Sequence, residues 1–108
     1  VDSGKIFLKD KIKFQGHELI NELRLKQAEY TFKLCKIFIE QYPKNLKKGK
    51  SQTGRSTYYK KRSPEDSRID VDKSIKDNFN LLRTVDNSNY PAFFNLNGKK
   101  YKLKIEEY

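Results

Sequence analysis

The sequence predicts a small α+β fold: an edge strand, a long helix, a basic loop, a short helix and a C-terminal β-hairpin. Three observations carry this reading. Apolar residues alternate with lysines from Lys5 to Phe14, the spacing turns helical from His17 and again from Ile69, and Asn97-Gly98 separates two alternating runs near the end.

In the first run Ile6, Leu8, Ile12 and Phe14 share parity and Lys5, Lys9, Lys11 and Lys13 oppose them, with Asp10 breaking the pattern. A half-buried edge strand is expected. Gly16 permits a turn, after which Ile20, Leu23, Tyr30, Leu34 and Phe38 recur at helical spacing while Arg24, Lys26, Lys33, Lys36 and Glu40 take other faces. Pro43 stops this helix. About 26 residues at about 1.5 Å each make a rod of about 39 Å, too long for this chain alone to cover, so its apolar stripe calls for a sheet beyond the segment. Cys35, among Leu34, Ile37 and Phe38, reads as buried packing.

From Lys44 to Thr57 the chain is polar, with Gly49 and Gly54 as hinges, and reads as a mobile loop. After Ser63-Pro64, Ile69 to Val85 returns to helical spacing through Val71, Ile75, Phe79 and Leu82, with Asp70 or Asp72 as the expected cap. A type I′ turn at Asn97-Gly98 pairs Leu96 with Lys99, Phe94 with Tyr101 and Ala92 with Leu103. One face then carries Ala92, Phe94, Leu96, Tyr101, Leu103 and Ile105, and a wet face carries Phe93, Asn95, Lys100, Lys102 and Lys104. A lone hairpin is marginal in water, so the apolar face needs a cover, from the second helix or from a second subunit.

Composition narrows the function. A chain of 108 residues that is 35% hydrophobic has little material for a core of its own, and the absent Met and the start at Val1 read as a fragment. No run approaches the roughly 18 to 20 apolar residues of a membrane span. One cysteine allows no internal disulfide, which fits a reducing compartment. No metal site is expected: there is one His and one Cys, and His17-Glu18-Leu19-Ile20-Asn21 lacks the second His of the zinc pattern. His17 reads as a surface or capping residue. Gly49 to Gly54 lacks the ending of a phosphate-binding Walker loop.

The net charge of +10 is uneven: eight Lys or Arg and no carboxylate lie between Pro43 and Arg62, and Lys99, Lys100, Lys102 and Lys104 form a second cluster. Such runs attract nucleic acid, an acidic membrane surface or a nucleotide diphosphate, although solvated surface lysines account for them equally well. Thr57 to Asp70 concentrates the chemistry. Arg62 can grip a phosphate bidentately, Lys60 and Lys61 add diffuse charge, and Tyr58 or Tyr59 can stack on a ring. Equally, Arg62 and Arg68 can pair with Glu65 and Asp66 to hold the turn. Asp2 before Ser3-Gly4 reads, on its own, as a turn residue.

Three ordered motifs add a family likeness. Val1-Asp2-Ser3-Gly4-Lys5-Ile6, the Thr57–Asp70 segment, and Asn80-Leu81-Leu82-Arg83 with Tyr90-Pro91-Ala92-Phe93 resemble the methionyl-tRNA formyltransferase superfamily, especially the branch that formylates nucleotide-linked amino sugars. Lys5 departs from the acidic residue usual there. The resemblance implies a Rossmann-like parent enzyme, of which 1–42 is the end of the catalytic domain, 43–68 a basic active-site linker and 69–108 a small helix and hairpin region. It further implies N10-formyltetrahydrofolate as formyl donor, a nucleotide-linked amino sugar as acceptor, a cytoplasmic place in lipopolysaccharide biosynthesis, and a homodimer through the hairpin.

By the same resemblance Asp2 is catalytic, acting through an upstream His with an upstream Asn, neither of which this chain contains. Ser3 and Gly4 would face the donor, and Tyr58, Tyr59, Lys60, Lys61, Arg62 and Glu65 the acceptor. The alternatives are methionyl-tRNA formyltransferase itself, whose branch ends in a longer OB-like domain, and a non-catalytic basic module that binds nucleic acid. The latter explains neither the ordered motifs nor Asp2.

Overall fold

The computed structural model describes residues 2–108; Val1, which opens the first motif, lies outside them. The described residues form a small α+β domain with helices α1 (Ile20–Gln41) and α2 (Ile75–Thr84) and an antiparallel pair of strands, β1 (Phe93–Leu96) and β2 (Lys99–Lys102). Short 3₁₀ turns lie at Lys44–Lys48 and Pro64–Ser67. The backbone falls into two units: residues up to Lys13 with Arg24–Tyr59, and Phe14–Leu23 with Lys60–Tyr108.

In the first unit the expected edge strand from Lys5 to Phe14 does not form. The segment makes one antiparallel bridge, in which the Ile6 N–H donates to the Lys50 carbonyl at 2.8 Å and the Lys50 N–H returns the bond at 2.9 Å. A strand needs a ladder, and the chain opposite Ile6 has just left a 3₁₀ turn at Lys48, so only one residue pair is available. Asp10, which broke the alternation, faces elsewhere: its carboxylate accepts from the Lys11 N–H and from Lys33 Nζ on α1, each at 2.8 Å. The Lys33 hydrogen bond first, and the Lys11 one second, hold the Asp10 carboxyl below its ordinary range.

Helix α1 runs 22 residues, starting at Ile20 rather than His17. Before it the Leu19 N–H is taken by the Glu22 carboxylate at 2.9 Å, which satisfies a donor the first turn leaves free. Leu34, Ile37 and Phe38 are half-buried, and Phe7 meets Phe38 edge-on with ring centroids 5.9 Å apart. The opposite face is bare: Leu25, Phe32 and Ile39 are 60%, 76% and 72% exposed. Cys35, expected to be buried, is exposed because it shares that bare face with Phe32 and Ile39. The expected loop after Pro43 is partly ordered. Asn45 is buried and donates to the Phe38 carbonyl at 3.0 Å, tying the 3₁₀ turn to the end of α1.

The second unit holds the core, formed by Ile69, Leu82, Val85 and Ala92, with Leu81, Phe94 and Ile105 packed against it. Helix α2 begins at Ile75, and its cap is Ser74 rather than Asp70 or Asp72: the Asp77 N–H donates to Ser74 Oγ at 3.1 Å and Ser74 Oγ–H to the Asp77 carboxylate at 2.8 Å. Asp70 and Asp72 lie in the preceding turn. It is organised by the buried Asn78, which accepts from the Asp70 N–H at 3.2 Å and donates to the Asp70 and Ser74 carbonyls at 3.0 Å each.

The hairpin has the expected register, Phe94 opposite Tyr101 and Leu96 opposite Lys99, and the Leu103 N–H reaches the Ala92 carbonyl at 2.9 Å. Asn97 and Gly98 have φ of 51° and 73°, the positive values a type I′ turn demands. Phe93 departs from the expected wet face and is buried. The Ile69 N–H donates to its carbonyl at 2.7 Å through a parallel bridge at Arg68, and its ring lies beneath Lys100 Nζ, 4.0 Å from the centroid. The lysine stem covers ring surface that a shorter polar residue would leave wet. Towards the turn the apolar face stays open, with Leu96 and Tyr101 about half exposed.

Candidate functional site

The site grows from the Asp2 turn in the first unit. Asp2 has φ of 60°, a left-handed conformation that Asp tolerates better than most residues. The turn is held by Gln52, whose side-chain amide donates to the Asp2 carbonyl at 2.7 Å and to the Gly4 carbonyl at 2.8 Å. Both hydrogens of one amide are therefore spent on one turn, beside the Ile6–Lys50 bridge. Residues 2–6 lie alongside 50–52.

This pairing opens a cleft of about 850 Å³ whose lining includes Asp2, Ser3, Gln52, Arg55, Tyr58 and Tyr59. The tyrosines are almost wholly exposed, at 96% and 87%, so their faces are available for stacking. An aspartate, an arginine and two exposed tyrosines thus border one concavity of the size that small ligands fill. Such a set can orient an amine, pair with an anion and stack on a ring. A Cβ placed at Gly4 would meet nothing within 4 Å, so packing within this chain does not require glycine there.

Of the expected site residues, Asp2, Ser3, Tyr58 and Tyr59 come together in this cleft, and Gly4 presents its carbonyl to Gln52. Lys60, Lys61, Arg62 and Glu65 belong to the second unit. There Ser63 and Asp66 brace the 3₁₀ turn: the Asp66 carboxylate accepts from the Ser63 N–H at 2.6 Å and from Ser63 Oγ at 3.1 Å. Those two bonds, the backbone one first, hold the Asp66 carboxyl below its ordinary value of 3.8. Arg68 Nε pairs with the Glu65 carboxylate. Arg62 Nη2 donates to Ser67 Oγ at 3.2 Å, and the buried Ser67 donates in turn to the Tyr90 carbonyl at 2.9 Å. Glu65 and Arg62 are thus employed in the turn. Arg62 retains other donors, because a guanidinium carries five. Lys60 and Lys61 are exposed.

The third motif is structural in this unit. Arg83 Nε donates to Asn80 Oδ1 at 2.9 Å and Nη1 to the Glu18 carbonyl at 3.0 Å, while Ala92 is fully buried. Glu18 is itself buried and its carboxylate accepts from the Gln15 and Gly16 N–H groups at 2.7 and 3.0 Å. His17 is exposed. Among the described residues there is no group of three or more metal-capable side chains and no helix long and apolar enough to cross a membrane.

Gln52 and Arg55 are the site residues that sequence reasoning missed. Their signal was faint: the one long amide and the one arginine in a stretch otherwise read as solvated Lys, Ser and Gly. No protein-family model matches the chain, and no curated protein or solved structure does.

Proposed function

We propose that the chain is the C-terminal part of an N-formyltransferase that moves a formyl group from N10-formyltetrahydrofolate to the amine of a nucleotide-linked amino-deoxy sugar. The observation that carries this reading is the cleft that joins the pinned, left-handed Asp2 turn to Tyr58 and Tyr59, two stretches picked out separately by the motif resemblance. Asp2 would assist, through a histidine supplied from upstream, in removing the proton the attacking amine sheds as its bond to the formyl carbon forms. An upstream asparagine and that histidine would steady the oxyanion on the formyl oxygen. The tyrosines give flat faces for a sugar or base, and Arg55 a cation for an anionic group of the acceptor.

The enzyme would act in the cytoplasm as a homodimer. Support for the dimer comes from the half-open apolar side of the second unit, where Ile75, Val71 and Leu96 are 73%, 51% and 50% exposed around a shallow groove.

The test is the coding sequence upstream of Val1 together with an assay of formyl transfer. An Asn-x-His-x-Ser-x-Leu-Pro segment some tens of residues earlier, and release of tetrahydrofolate dependent on a nucleotide-linked amino sugar, are the expected results. A longer protein without that segment, or one that formylates only charged tRNA, overturns the assignment.

A further inference from the structure

Beside the Asp2 cleft lies a second one of about 420 Å³, lined by Lys9, Lys48 and Lys50 together with Ser51, Gln52 and Thr53, above Ile6, Phe7 and Leu8. The two clefts share Ser51 and Gln52, so they are neighbouring parts of one groove in the same unit. Three lysines and two hydroxyl-bearing residues line the second cleft, and no acidic residue does. Asp10, next to Lys9 in sequence, is engaged by Lys33 at 2.8 Å, and Asp2 lines the adjoining cleft. Lys9, Lys48 and Lys50 form no ion pair among the described residues. Three lysines lining one cleft with no acidic residue among its walls make a positive field that a multivalent anion matches.

The lysines also share one backbone frame. The Ile6–Lys50 bridge sets the backbone of one wall against the other, and Phe7 lies so close to Gly49 that a Cβ there would come 2.6 Å from its ring. The Phe7 ring in turn rests on Phe38. Lys48 and Lys50 therefore flank a glycine pressed onto an aromatic ring, which sets the backbone from which their exposed side chains extend.

We propose that this lysine cleft is a subsite for a small multivalent anion, a chain of two or more phosphate or carboxylate groups, whose remainder extends past Ser51 and Gln52 towards Asp2 and the tyrosines. On the formyltransferase reading, on which only the source of the anion rests, two ligands carry that chemistry: the oligo-γ-glutamate tail of a folate donor and the diphosphate of a nucleotide acceptor.

The experiment titrates the 108-residue chain by calorimetry with tri-γ-glutamate in one arm and inorganic pyrophosphate in the other. Saturable one-to-one binding of at least one probe is expected. Lys9→Gln, Lys48→Gln and Lys50→Gln should each weaken it about two- to fivefold, as for exposed ion pairs, and Lys47→Gln, which removes a lysine lining neither cleft, should leave it unchanged. The tighter probe assigns the source. Absence of saturation at millimolar probe, or an equal loss in Lys47→Gln, would reduce the cleft to diffuse surface charge and overturn the proposal. No formyl donor or transfer enters the titration, so the subsite and the enzyme assignment fail independently.

Discussion

Arg83 Nη1 donates to the main-chain carbonyl of Glu18 at 3.0 Å, joining residues 65 apart in sequence, and the same nitrogen lies 4.0 Å from the Glu18 carboxylate. The pair is nearly dry, with side-chain exposures of 14% and 2%. Glu18 also collects the Gln15 and Gly16 N–H groups, so one carboxylate shapes the turn before α1 while one arginine ties that turn to α2.

Breaking this arrangement from one side should be costly. Glu18→Ala leaves a largely covered guanidinium without its neighbouring carboxylate and two backbone donors without an acceptor, and should destabilise the second unit by about 1 to 3 kcal/mol. Urea denaturation of the two proteins side by side measures it. A loss below about 1 kcal/mol would mean that water replaces the carboxylate.

The Ser63–Asp66 brace should respond to acid in a defined direction. A carboxyl held below its ordinary value in the folded state contributes stability above pH 3.8, and that contribution disappears as the pH falls through the lowered folded value. The Ser63 amide resonance should therefore shift with an acidic midpoint below 3.8, and Asp66→Asn should abolish the shift. A midpoint above 3.8 would contradict the brace.

Asp2 offers the kinetic test of the proposed chemistry. In the complete enzyme Asp2→Asn should lower kcat by about 10²- to 10⁴-fold, the range for loss of a general acid–base group. Donor affinity, read by equilibrium titration, should change little. Unchanged turnover would return Asp2 to the role of a turn residue.

The exposed apolar side of the second unit makes the proposed dimer testable without disturbing the core. Leu96→Asp with Ile75→Asp should give monomers in sedimentation equilibrium while circular dichroism stays that of the native chain, since both positions are at least half exposed. A wild-type enzyme that is monomeric at micromolar concentration removes the idea.

Local rules made the hairpin legible. Asn97-Gly98 dictates a turn whose backbone fixes register, so every pair down to Phe94–Tyr101 follows from two residues. Both helices were legible as periodicity, but α2 was misplaced at its start because Asp70, Asp72 and Ser74 all qualify as caps and only the buried Asn78 decides among them. The edge strand failed for a related reason: alternation describes which side chains can share a face, and says nothing of whether a partner strand exists. Alternation places Phe93 in water because strand parity cannot register a lysine folded across a ring. In the candidate site Asp2, Tyr58 and Tyr59 were visible as residue types, whereas Gln52 acts through two main-chain carbonyls, a role with no signature in side-chain spacing.

The Gln52 contacts to Asp2 and Gly4 close loops of about fifty residues, and little else in that wall is buried. Closing so long a loop costs chain entropy that a few exposed hydrogen bonds barely offset, whereas the Ile69–Leu82–Val85–Ala92 cluster repays its ordering with dry contacts. The wall of the candidate cleft should thus open and reclose many times during the lifetime of the folded core. Amide protons at Ile6 and Lys50 would trade with solvent deuterium well before those at Ile69 and Val85. A ligand that bridged both sides of the groove would slow that exchange, which makes the breathing of this wall a gauge of occupancy even where no reaction can be followed.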